Sequence, residues 1–128
     1  MSRSRWHMSE VDGALIVARR SPAHFDVAAT TVIEGGADLR KSRVAHQVRQ
    51  DMWRALQSLR GLAPVVRVAV QGADLEITAG GMIAGRFPKQ DSEARIQAVL
   101  DNPDNRARWV RFAQRNTVRD TKTEEAMT

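Results

Sequence analysis

Residues 38–62, DLRKSRVAHQVRQDMWRALQSLRGL, decide how this chain folds. At 100° per residue, Val44, Ala45, Val48, Met52, Ala55, Leu56, Leu59 and Leu62 fall on one stripe, the pattern of an amphipathic helix resting on a core. The opposite side gathers His46, Arg49, Gln50, Trp53, Gln57 and Arg60, with Arg40, Arg43 and Arg54 at its margins. Trp53 breaks the pattern, because a large aromatic stands among cations instead of on the apolar stripe. Either it packs against a neighbouring element and the helix is covered on two sides, or it is exposed and marks a surface with a task.

Outward from this helix the hydrophobic period changes to two. Residues 14–18 form a short apolar run, and 25–33 alternate Phe25, Val27, Ala29, Thr31 and Ile33 on one face. The β-branched run 30–33 suits a strand, so 14–19 and 25–34 are expected to pair as a first hairpin. Gly35-Gly36 ends it, and Asp38 or Ser42 is placed to cap the helix. Gly61 and Pro64 bracket the helix end. Beyond it, Val66, Val68 and Val70 share a face, Leu75, Ile77 and Ala79 another, and Gly80-Gly81 reads as a turn into a third strand over 82–87. Pro88 stops the sheet. A second helix runs from Asp91 or Ser92 to about Leu100, with Ala94, Ile96, Val99 and Leu100 as its apolar set. In Asn102-Pro103-Asp104, asparagine is a good N-cap and proline suits the first position of a third helix, 103–115.

The fold class expected is α+β: an antiparallel sheet, made of a two-stranded N-terminal hairpin and a three-stranded meander, packed by one long central helix and two C-terminal helices. The order is β-β-α-β-β-β-α-α. Residues 1–12 read as a flexible segment, 13–115 as one domain and 116–128, almost without large apolar residues, as a disordered tail. A chain of 128 residues suits one core.

Charge points to an anionic partner. The net charge is +5 and the sequence pI about 10.9, with a mean hydropathy of −0.42, and a small basic domain favours nucleic acid over a membrane surface. Seventeen of its twenty basic residues are arginine, a bias that GC-rich coding also produces, so the positions of the charges inform more than their identity. No apolar run is long enough to span a bilayer, no secretory signal is legible, and the absence of cysteine makes a cytoplasmic address the default.

Catalytic patterns are missing. His7, His24 and His46 stand in no HxH or HExxH spacing, and no serine lies in a GxSxG context. Asp74 and Glu76 point the same way on a strand, as a Mg²⁺-holding pair does, yet they flank a hairpin turn where acids are common and no lysine supports them. The glycines of residues 72–87 fit turns and not a phosphate-cradling loop. No enzyme activity, metal or cofactor is expected. Nucleic-acid binding without catalysis is expected instead. His46, Arg49, Trp53, Gln57 and Arg60 follow i, i+3, i+7, i+11, i+14, joining cations that seek phosphates, amides able to read base edges and an aromatic able to stack. Arg106, Arg108, Arg111 and Arg115 repeat the theme on the third helix, extended by Arg119 and Lys122. The competing reading is a protein-interaction module, homodimer or component of a phage-like particle or regulatory complex. Trp53, Trp109 and Phe112 among arginines are the residue types that dominate interface hot spots.

Helix, three strands and helix over 38–100 also resembles the order in double-stranded-RNA-binding domains. Those domains straddle phosphates with a lysine cluster at the start of their last helix. Here Lys89 stands alone before Gln90, Asp91 and Glu93, so no residue role is carried over.

Overall fold

The computed structural model describes residues 7–11, 13–19, 23–57, 61–85 and 88–114. Its elements are β1 (His7–Val11), β2 (Ala14–Ala18), β3 (Val27–Ile33), a 3₁₀ turn (Gly36–Asp38), α1 (Lys41–Ala55), β4 (Leu62–Gln71), β5 (Asp74–Ile83), α2 (Lys89–Asp101) and α3 (Pro103–Ala113). All strand pairs are antiparallel, in the sheet order β1-β2-β4-β5-β3. The molecule is therefore α+β, with a five-stranded antiparallel sheet and three helices, as the residue pattern implies.

Strand boundaries and pairings differ from the pattern in three places. The N-terminal hairpin is β1 with β2, turning at Gly13, whose φ of +80° is a left-handed conformation that glycine adopts without a Cβ clash. Residues 7–11, expected to be loose, form its first strand. The β4–β5 hairpin then lies between β2 and β3, which puts the two expected hairpin partners on opposite sides of it. Gly80-Gly81 is no turn. Both residues lie inside β5, which runs on to Ile83; Arg86 and Phe87 are outside the described residues. Glycine is required there by close approach, since a Cβ on Gly80 would lie 1.9 Å from the Val27 carbonyl oxygen and one on Gly81 2.4 Å from that of Ala63. Three strands thus precede α1 and two follow it, which removes the helix–meander–helix order shared with double-stranded-RNA-binding domains.

One sheet face carries the core. Leu15 and Val17, Val27, Ala29 and Ile33, Val66 and Val68, and Leu75, Ile77, Ala79 and Ile83 meet Val44, Ala45, Val48, Met52 and Leu56 of the α1 segment, Ile96, Val99 and Leu100 of α2, and Trp109 and Ala113 of α3. Burying each large aliphatic contributes about 1.5–3 kcal/mol. α1 lies mainly on β4, α2 on β3, and α3 packs against α1. Of the expected apolar positions, Ala55, Val70 and Ala94 are exposed, and Leu59 lies outside the described residues. Asn102 caps α3 as expected, its side chain accepting from the amides of Asp104 (2.9 Å) and Asn105 (3.1 Å) with Pro103 in the first turn. α1 is shorter than its apolar stripe. It starts after Arg40, with neither Asp38 nor Ser42 as N-cap, and closes at Leu56, whose N–H bonds to the Met52 carbonyl. Leu62 is then drawn into β4 opposite Ile83, so the chain has to leave the helical path.

Candidate nucleic-acid interface

Trp53 is exposed. It keeps 60 % of its surface in solvent, because the wheel that directs Val48 and Met52 into the core turns position 53 away from it. Arg49, one turn earlier, and Arg54 flank it. Arg19, just past the end of β2, completes the group: Arg19, Arg49, Gln50, Trp53 and Arg54 line a concavity of about 320 Å³. Arg19 is placed there by its backbone, whose N–H bonds to the Pro64 carbonyl and continues the β2–β4 pairing. The sequence reading missed this residue. It sits in an apparent turn, and only the position of β2 beside β4, under α1, brings it to the helix.

The electrostatics of the group favour an anion. The Arg49 guanidinium holds its proton less firmly than an ordinary arginine, first because it is partly buried and second because Arg19 is close. Arg49 Nη2 lies 3.3 Å from His46 Nδ1. The His46 imidazole is also harder to protonate than usual, through burial and then the Arg49 charge. Two like charges held near each other are what an incoming phosphate stabilises.

Other candidate residues are distributed unequally. Gln57 is exposed but lies past the end of α1, and Arg60 and Arg115 are outside the described residues, as are Arg119 and Lys122. Arg40 is half-buried at the start of α1, its backbone N–H bonding to the Ala113 carbonyl at 2.8 Å. Arg43 is exposed and approaches the Phe112 carbonyl at 3.5 Å. Arg111 is exposed, with its guanidinium 5.6 Å from the centre of the exposed Phe112 ring.

Arg106 and Arg108 turn inward. Arg106 donates to the carbonyls of Val32 (2.6 Å) and Leu100 (3.2 Å) and to Thr31 Oγ1. Arg108 donates to both oxygens of Asp51 (3.2 and 3.0 Å), to Gln47 and to Asn105. Asp51, only 5 % exposed, also accepts from Trp109 Nε1 at 2.7 Å and from Arg54 Nη1 at 3.0 Å. One buried carboxylate thus joins α1 to α3 and holds Arg54 at the margin of the Trp53 concavity. Position 51 lies at the edge of the apolar stripe, which conceals this role in the sequence.

Asp74 and Glu76 have structural partners. Asp74 Oδ1 accepts from the Gly35 amide at 2.9 Å, and Glu76 Oε1 accepts from Gln71 at 3.2 Å and lies 3.6 Å from Arg67. Among the described residues no group of three or more His, Asp or Glu side chains is arranged to hold a metal ion, and no helix is long and apolar enough to cross a membrane. Comparison with protein-family models, curated proteins and solved structures finds no match to any of them.

Proposed function

We propose that this protein binds nucleic acid without catalysing a reaction on it, through the outer face of α1. The observation that carries this reading is the exposed Trp53 in a concavity lined by Arg19, Arg49 and Arg54. Arginine forks match phosphate oxygens, and an indole offers a stacking surface for a base. The net charge of +5 adds long-range attraction for a polyanion. Arg106 and Arg108 are left out of the interface because they turn inward, Arg106 onto the edge of β3 and Arg108 onto the buried Asp51.

The test is fluorescence anisotropy with labelled DNA and RNA, single- and double-stranded, at about 50 mM salt, where phosphate contacts are strongest. Binding is expected for the native chain and its loss for the folded R19E/R49E double variant. Absence of binding to every probe removes the proposal. The same exposed tryptophan among arginines is also hot-spot composition, and the basic surface admits a protein partner or homodimer. A change in sedimentation of R19E/R49E, with no nucleic-acid binding by the native chain, is the result that favours that second reading.

A further inference from the structure

A second concavity, of about 460 Å³, opens on the other side of Arg54, lined by Asp51, Arg54, Ala55, Arg95, Ala98, Val99, Asn102 and Asn105. Arg54 lines both hollows, so the cations Arg19, Arg49, Arg54 and Arg95 form a track that crosses the C-terminal end of α1. Trp53 lines the first of the two hollows, beside Arg49 and Arg54. Arg95 keeps half of its side chain exposed while pairing with Asp91 at 3.3 Å, so it can still reach a phosphate.

The walls of the two hollows restrict what α1 can engage. A helix that reads a duplex has to stand clear of its domain, because a major groove about 12 Å wide receives little more than the helix itself. α1 is flanked instead: Arg19 lines a hollow on one side of its C-terminal half, and the α2–α3 junction lines one on the other. An unpaired base can reach the indole there, whereas bases stacked within a duplex present only their edges. The hollow beside Trp53 is at the lower end of the roughly 300–1,000 Å³ typical of ligand sites, a size suited to a single base.

We propose that the track takes a single-stranded nucleic acid, with one unpaired base stacked on Trp53 and the neighbouring phosphates on Arg19, Arg49, Arg54 and Arg95. This inference rests on the nucleic-acid reading above and narrows it to a strand class and a contact. The backbone would cross at Arg54, whose guanidinium is held in place by Asp51. Selectivity for one base over another is expected to be weak, because stacking uses a surface common to all bases.

The experiment measures affinity for a labelled oligothymidylate, an oligouridylate and a mixed-sequence duplex of equal length, using the full chain and the variants W53A, W53F, R95E and R49E. Circular dichroism establishes that each variant is folded. The native chain is expected to bind the single strands at least about tenfold more tightly than the duplex. W53A should lose roughly tenfold or more in single-strand affinity and W53F much less, since a phenyl ring still stacks. Oligothymidylate should also quench tryptophan emission in the native chain, and that quench should be absent in W53F. R95E should weaken single-strand binding while leaving the quench at saturation intact. Equal binding of duplex and single strand, with W53A unchanged and R49E defective, overturns this inference and leaves the nucleic-acid reading standing. No binding to any probe overturns both.

Discussion

At the scale of single residues, Asp51 and Gly80 are where the smallest changes have the largest consequences. Asp51→Ala leaves the buried Trp109 N–H without its acceptor and the Arg108 guanidinium without its counter-charge. Breaking a buried pair by removing one partner costs about 3–5 kcal/mol, so D51A should lower the urea midpoint by a corresponding amount at unchanged slope. Gly80→Ala forces a methyl group against the Val27 carbonyl. Overpacking of this kind costs about 1–3 kcal/mol, and backbone, unlike a flexible side-chain end, gives way with difficulty, so the upper end is expected in the same denaturation experiment. Neither position stands out in the sequence. Asp51 looks like one more polar residue at a helix margin, and the Gly-Gly pair looks like a turn, because the close approach of β3 to β5 depends on which strands are neighbours.

At the scale of elements, the edge of β3 shows how three helix side chains serve a strand. Its outward backbone groups are met by Glu93, which accepts from the Ala28 amide at 3.0 Å, by Gln97, which donates to the Thr30 carbonyl at 3.2 Å, and by Arg106 on the Val32 carbonyl. A covered edge cannot template pairing with another chain. Arg106→Ala should therefore cost about 1–3 kcal/mol, speed amide exchange at the β3 edge and leave oligonucleotide affinity unchanged. Arg49→Ala should instead weaken oligonucleotide binding and leave amide exchange at the β3 edge unchanged. Comparing the two variants by hydrogen exchange and anisotropy separates the arginines that build the fold from those that face a ligand. Asn102→Ala should cost about 1 kcal/mol through loss of the cap of α3, measured by thermal unfolding.

At the scale of the whole molecule, salt and pH report on the interface. Three arginines each releasing about 0.7 counterion from a single strand give a slope of log affinity against log salt near −2, steeper where Arg95 also engages, and Arg49→Gln should reduce it by about 0.7. His46 adds a pH dependence. Its proton affinity in the free protein lies below the ordinary value of 6.5, so the unfolded chain takes up the proton first. This contribution to stability is fully present above pH 6.5 and declines as pH falls through the lowered folded value. A phosphate beside Arg49 acts in the opposite sense, favouring the imidazolium, so single-strand affinity should rise as pH falls from 7.5 to 5.5. Both trends should flatten in His46→Gln, the first in denaturant midpoints and the second in anisotropy titrations.

Periodicity, which depends only on local geometry, made much of this protein legible. The apolar stripe of α1, the period-two runs of β3, β4 and β5, and the Asn-Pro-Asp start of α3 are all visible in the chain, and with them the α+β class. The basic outer face of α1 was legible for the same reason. What the sequence could not decide is which elements become neighbours, because pairing is set by the packing of the whole core. The insertion of β4 and β5 between β2 and β3, the passage of β5 through Gly80-Gly81, and the inward turn of Arg106 and Arg108 all follow from that packing. So does the arrival of Arg19 beside Arg49. The exposure of Trp53 was likewise a tertiary decision: α3 packs on the side of α1 where Asp51 accepts from Trp109, and Trp53 stays 60 % in solvent.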